Sequence, residues 1–166
     1  MEDVVKSVLD ALDGLNIAYE LLKHEPAAHI EQCRAIEEAL GAMVPRNLFL
    51  TTRRQGGLWL CLMRPDAPFR SGDVSRQIGS SRLCFADETA MDETLRVKPG
   101  SVTPLGLMFD RDRRVTLLAD SALKCEERLI FHPCLNTYSV AMRTEDFLNI
   151  FLPSVGHAPI WIEVEE

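Results

Sequence analysis

Val4, Val5, Val8, Leu9 and Leu12 recur at the spacing of one helical face, with Lys6, Ser7 and Asp10 between them. This pattern predicts an amphipathic helix over residues 4–15, with Gly14 placed to end it. An extended segment follows at residues 18–22. Residues 29–40 then set Ile30, Cys33, Ile36, Ala39 and Leu40 on one face ahead of Gly41, which predicts a second helix. The period shortens after that. Two apolar runs, residues 47–52 and 58–63, are joined by RRQGG, whose glycines permit a tight hairpin. Ser71 reads as the N-cap of a helix over 72–78, and Asp87 as the N-cap of another that carries Met91 and Leu95; a short strand, 83–85, lies between them. Residues 105–109 and 115–119 read as a second hairpin turning at DRDR. Thr144 reads as the cap of a helix that stops near Pro153, and residues 160–164 as a closing strand. Strand pairs interleaved with short helices, without regular β-α-β repetition, predict an α+β domain on a mixed sheet. With no linker, repeat or low-complexity stretch, residues 1–166 read as a single domain.

The stretch RLIFHPCLNTYSVAM, residues 128–142, departs from this regularity. A proline removes a ladder donor, so Pro133 ends one apolar run before Tyr138 opens the next. Asn136 and Thr137 supply turn chemistry between the two strands. His132 is thereby placed where a strand stops and a loop begins, the position at which rigid scaffolds present binding groups.

Composition narrows the function class. With 166 residues and 46% hydrophobic content, the chain can bury a core without a metal or disulfide. Five cysteines form no CxxC pair and read as small buried hydrophobes in a reducing compartment, so no zinc site is expected. The acidic N-terminus lacks the features of a signal peptide, and no run approaches the ~20 apolar residues of a membrane span; a cytoplasmic location is expected. The net charge of −7 weighs against nonspecific coating of nucleic acid. Yet residues 47–114 carry eleven basic and eight acidic side chains, and ten of the eleven are arginines, which suit bidentate phosphate contacts. A small, defined contact with a nucleic acid end is compatible with that distribution.

Three further stretches bear on chemistry. In KPGSVTPLGL, residues 98–107, Gly100 permits a close backbone approach and the prolines stiffen both flanks, so the loop Gly100-Ser101-Val102-Thr103-Pro104 can aim backbone N–H groups at a carbonyl or oxyanion. In VPRNLFL, Arg46 and Asn47 stand at the start of a strand and are read as projecting from it into a cleft. His157, in the last connection, reads as a structural hydrogen-bonding residue. His24 and His29 flank Pro26 without metal-ligand spacing, and no serine sits in a GxSxG setting.

The ordered set Arg46-Asn47-Leu-Phe-Leu, SRLCFA, Lys98-Pro-Gly-Ser-Val-Thr-Pro104, Phe131-His132-Pro-x-x-Asn136-Thr137 and Gly156-His157 resembles the aminoacyl-tRNA editing domains associated with prolyl-tRNA synthetase. That group contains YbaK and the free-standing ProX/PrdX proteins, and the likeness, strongest to the free-standing type, spans nearly the whole chain. It implies an α+β fold with about seven or more strands, partly barrel-like. It also implies trans-editing, the hydrolysis of the ester on a mischarged tRNA, most typically alanine on proline tRNA, with neither metal nor cofactor. Arg46, Asn47, Gly100 and His132 then match catalytic positions, and Ser101, Val102, Thr103, Pro104 and Asn136 match the substrate pocket. The partners implied are the aminoacylated acceptor end and prolyl-tRNA synthetase. The family usually carries lysine where this chain has Arg46, a swap that changes size and donor geometry. A noncatalytic tRNA-binding module of the same fold is therefore the alternative reading.

Overall fold

The computed structural model describes residues 2–27, 30–54 and 56–165. His29, read as the start of the second helix, Gln55 in the hairpin turn, and the side chain of Ile30 lie outside the described residues. Among the described residues eight strands form two sheets. A mixed five-stranded sheet has the order β4-β2-β3-β5-β8, from Leu83–Phe85 (β4), Arg46–Thr52 (β2), Leu58–Met63 (β3), Val115–Asp120 (β5) and Ile160–Ile162 (β8). The second sheet, antiparallel throughout, has the order β1-β7-β6, from Tyr19–Lys23, Tyr138–Arg143 and Arg128–Phe131.

The near-continuous apolar runs LWLCLM and VTLLAD become neighbouring parallel strands that are buried on both faces. Toward the second sheet, Leu58, Leu60 and Leu62 of β3 join Leu117 of β5, Val5, Val8 and Leu12 of α1 (Asp3–Gly14), and Phe131, Val140 and Met142. On the opposite face, Cys61, Met63, Leu118 and Ile162 pack with Val74 of α3 (Ser71–Ile78). The outer face of the second sheet holds Ile130 and Ala141 against Ile36 and Leu40 of α2 (Ile30–Leu40). A buried polar clamp fastens one end of the mixed sheet. Asp120 accepts from Arg64 Nε at 2.8 Å and Ala122 N at 3.0 Å, while Arg64 Nη2 reaches Val164 O at 2.6 Å.

Several local expectations are corrected. Residues 105–109 are not a strand: Pro104–Phe109 is a 3-10 helix whose first turn is capped by Thr103 Oγ1 accepting from Leu105 N at 3.2 Å. Leu105, Gly106 and Leu107 are all buried, so they do not alternate between two faces. A Cβ on Gly106 would fall 2.7 Å from Leu95 O at the end of α4 (Glu88–Leu95), which explains why glycine stands at this crossing. DRDR is accordingly no hairpin turn, because β5 takes parallel partners on both sides. The Asp110 carboxylate closes that turn by accepting from Arg114 N and Val115 N. Ser71 lies inside α3 rather than capping it, Arg70 being the flanking residue. Arg143, not Thr144, flanks the C-terminal helical segment, whose middle, Phe147–Phe151, is a π turn. The closing strand ends at Ile162. Asp87 does cap α4, accepting from Ala90 N at 2.9 Å.

Because the α4 carbonyl cannot retreat without breaking the helix end, Gly106→Ala is expected to destabilise the fold by about 1–3 kcal/mol. Urea unfolding of the variant should show a lowered midpoint; an unchanged midpoint would mean that the helix end yields freely.

Candidate functional site

Beyond Phe131 the chain turns through Pro133 and Cys134 before β7 begins. Cys134 adopts a left-handed backbone with φ 66°, and its buried thiol points to Leu95 O at 3.8 Å. The turn is thus pinned to the same α4 end that Gly106 touches. Burial pushes the Cys134 thiol up to about 12, so it stays protonated and is no nucleophile.

His132 is set by this turn. Its Nδ1 lies 2.9 Å from Tyr138 O. A carbonyl can only accept, so Nδ1 carries the proton and Nε2 of the neutral ring is an acceptor. Burial lowers its proton affinity, the Tyr138 carbonyl opposes that shift, and the nearby His24 adds to it. The two imidazole centroids are 6.2 Å apart. His24 Nδ1 is 2.6 Å from Glu25 O and by the same reasoning carries a proton there, and the Nε2 of that ring is hydrogen-bonded to the buried Ser139 hydroxyl at 2.8 Å. The β1–β7 register, pairing Lys23 with Tyr138, delivers His24 to this place, and its backbone N–H bonds Thr137 O. Sequence spacing gave no signal for His24 and Ser139, since a pairing 115 residues long in sequence brings them together.

The loop of residues 100–104 forms the neighbouring wall. Gly100 has φ 86°, and a Cβ there would stand 3.4 Å from Asn136 Nδ2. The Ser101 N–H is held by Lys98 O at 3.0 Å, whereas the N–H groups of Gly100, Val102 and Thr103 meet no acceptor among the described residues. Thr103 and Pro104 are buried, and Thr103 spends its hydroxyl on the helix cap, so both hold the loop in place and neither presents a side chain to a ligand. Val102 is half-buried against the main core. Asn136 anchors the turn by accepting from Ala27 N at 3.3 Å.

Arg46 and Asn47 are both within β2, not ahead of it, so their side chains leave on opposite faces of the sheet instead of entering one cleft together. Arg46 Nη1 donates to Ala67 O at 2.8 Å on the Cys61 face. Asn47 shares the face of Phe49, which belongs to the core between the sheets. Its Nδ2 donates to Pro45 O at 3.2 Å, which fixes the amide orientation; the buried Oδ1 meets no donor among the described residues. Met43 makes a parallel bridge to Leu129, so the two chains leave it in the same direction: Arg46 lies three residues on along one and His132 three residues on along the other. β4 pairs only with Leu50–Thr52, so the first residues of β2 form an edge beyond it.

Among known families, the aminoacyl-tRNA editing domain matches residues 24–150, a span that runs from His24 through the 100–104 loop to the end of β7 and beyond. The chain belongs to the aminoacyl-tRNA editing domain family. The prolyl-tRNA synthetase associated domain-containing protein 1 of Mus musculus is 37% identical over 153 residues, covering 90% of this chain and 89% of its own. The Xenopus laevis protein of the same name is 33% identical and covers 98% of each chain. Prolyl-tRNA editing protein ProX of Acetoanaerobium sticklandii is 28% identical over 148 residues, 89% of this chain and 90% of its own. A solved structure of a candidate trans-editing enzyme for prolyl tRNA synthetase superimposes with a TM-score of 0.74 over 100% of this chain and 99% of the other, at 15% identity, a likeness of fold. As an editing domain, the chain falls in a class whose chemistry is hydrolysis of aminoacyl-tRNA. Among the described residues no cluster of three His, Cys, Asp or Glu could hold a metal ion, and no helix is long and apolar enough to cross a membrane.

His157 lies outside this constellation. Its buried Nε2 is 3.5 Å from Asp110 Oδ2 without forming a hydrogen bond. Burial lowers its proton affinity, Asp110 raises it and Arg113 lowers it. His132 and His157 therefore both bind a proton more weakly folded than unfolded. Their contribution to stability is complete above the unfolded value of about 6.5 and is lost as pH falls below it. Urea midpoints taken between pH 7.5 and 5 should decline toward acid, and the decline should flatten in H132Q and H157Q; parallel curves for wild type and variants would overturn the assignment.

Proposed function

We propose that this editing domain is a trans-acting deacylase that releases alanine from mischarged proline tRNA. The observation that carries the reading is the wall formed by Gly100 against Asn136, where the backbone N–H groups of Gly100 and Val102 meet no acceptor among the described residues, beside a turn that holds a neutral histidine. The names of the relatives, which tie them to prolyl-tRNA synthetase and to prolyl-tRNA editing, support the choice of tRNA.

The reaction needs little from side chains. Water adds to the ester carbonyl carbon, the negative charge gathers on the carbonyl oxygen, and the bond to the ribose oxygen then breaks as that oxygen takes a proton. The products are the free amino acid and a tRNA with a free terminal hydroxyl. The N–H groups of Gly100 and Val102 are the donors for the developing oxyanion, each such donor being worth about 3–4 kcal/mol where the geometry is right. The adjacent ribose hydroxyl of the substrate relays the proton, so no protein base is required. Asn47 Oδ1 accepts from the α-ammonium group, a charge-assisted bond that also meets its own unsatisfied need. His132, neutral at pH 7, lines the pocket and offers one acceptor through Nε2.

Arg46 has a different task in this reading. With one guanidinium N–H tethered to Ala67 O on the sheet face opposite Asn47, its other donors remain to grip, around the open start of β2, a phosphate on the 5′ side of the esterified ribose. That placement also favours the noncatalytic alternative, in which arginine in place of lysine holds tRNA without turnover. A pocket closed by packed loop residues excludes large side chains by overlap, whereas one methyl separates alanine from glycine by only about 1–3 kcal/mol.

Proline tRNA charged separately with alanine, serine, cysteine and proline provides the test. Alanine should be released fastest and proline spared. N47A should lower kcat/KM by about 10- to 150-fold, the worth of a buried hydrogen bond to a charged group, and H132A and G100A should lower it as well. Retained tRNA binding with no release of any amino acid would establish the binding module instead.

A further inference from the structure

At the far end of β2 from Asn47, an open groove of about 620 Å³ is lined by Arg53, Arg54, Phe69, Ser71, Arg82 and Phe85, with Ser81, Leu83 and Cys84 completing it. Among the described residues no acidic side chain lines it. Among the described residues Arg53, Arg54 and Arg82 take part in no ion pair, although five other arginines of the chain do. Phe85 is 68% exposed, the most exposed large hydrophobic residue among the described residues, and its one aromatic neighbour among them is Phe69, with ring centroids 6.3 Å apart. Neither the fold nor the site described above accounts for three unpaired arginines around an open aromatic face.

We propose that this groove is a second contact for the tRNA, in which Arg53, Arg54 and Arg82 hold ribose-phosphate backbone of the acceptor arm and Phe85 stacks on an unpaired base. The inference rests on the editing function proposed above. Guanidinium groups match phosphate oxygens bidentately, and exposed aromatic rings beside a basic groove are the usual platform for single-stranded nucleic acid. An acidic peptide would use the arginines but has no flat π face to lay on Phe85, so RNA suits the groove better. The position is consistent with one ligand engaging both places. β2 runs from Asn47 to the groove over roughly five residues at ~3.3 Å each, a separation of about 17 Å, so nucleotides a short distance upstream of the esterified ribose come within reach. The setting sharpens the effect: a chain of net charge −7 repels polyphosphate over much of its surface, and an unpaired arginine cluster within the basic middle segment orients the RNA as well as binding it.

The test measures binding of uncharged proline tRNA across a potassium chloride series for wild type, a triple variant R53Q/R54Q/R82Q, and F85A. Deacylation of alanyl-tRNA is measured beside deacylation of 2′(3′)-O-alanyl-adenosine, which is too small to reach the groove. The triple variant should bind tRNA at least tenfold more weakly, and its dependence of log affinity on log salt should be shallower by about 2. F85A should weaken binding while leaving the salt slope unaltered. In both variants the ratio of kcat/KM for alanyl-tRNA to that for alanyl-adenosine should fall at least tenfold. Wild-type affinity and salt slope in the triple variant would overturn the proposal, as would equal losses on the two substrates or a preference of the wild type for polyglutamate over tRNA. A failure of the editing reading is distinguishable: no alanine would be released by wild type, yet the variants would still lose tRNA binding.

Discussion

Burial of β3 and β5 on both faces governs everything else in this molecule. A strand enclosed by apolar side chains above and below has no place for an unsatisfied polar group, and LWLCLM and VTLLA carry almost none. Polar function is therefore displaced to strand ends and connections. Asn47 sits near the start of β2, His132 just beyond β6, and the 100–104 loop between α4 and a 3-10 helix. The exception within the strands, Asp120, is 1% exposed and is tolerated because Arg64 and the Ala122 N–H occupy its oxygens.

The site itself is arranged so that its polar groups are neutral and directed. His132 is held in one tautomer by Tyr138 O, and Asn47 in one amide orientation by Pro45 O. In both cases a backbone carbonyl, which has only one way to bond, decides which atom of the side chain is left over as an acceptor. The two cysteines near these elements, Cys61 and Cys134, are kept as thiols by burial. Burial thus leaves neither thiol available as a nucleophile, and what remains around His132 and Asn47 is a set of fixed dipoles, which would suit the proposed reaction, whose substrate is already reactive.

Much of this was legible in the sequence, and the losses have identifiable causes. Helical periodicity located α1 and α2, and paired apolar runs located the β2–β3 hairpin. The His132-to-Asn136 interruption was readable because proline cannot continue a ladder, and its proximity to Gly100 followed from the ordered motifs as a family resemblance. The stretch after Pro104 was misread because Leu105 and Leu107 flank a small residue, which imitates alternation; the deciding fact, contact of Gly106 with the α4 terminus, is tertiary. Arg46 and Asn47 were expected to enter one cleft, and a strand boundary placed one residue earlier sends them to opposite faces. The His24–Ser139 bond depends on strand register, which no local pattern encodes.

The crossing of Gly106 over Leu95 has a consequence for the thermodynamics of recognition. The Thr103 cap, the ring of Pro104 and that backbone contact together leave the second half of the loop with few conformations to lose. Ordering a flexible segment on binding consumes about 1–2 kcal/mol per residue in backbone entropy, and a loop fixed beforehand escapes most of that cost. The same stiffness prevents it from reshaping itself around a side chain of the wrong volume. If the loop receives the amino acid as proposed, affinity and discrimination would arise from one source: a loop with few conformations to lose accepts a small residue at little cost in free energy and has no easy way to admit a large one.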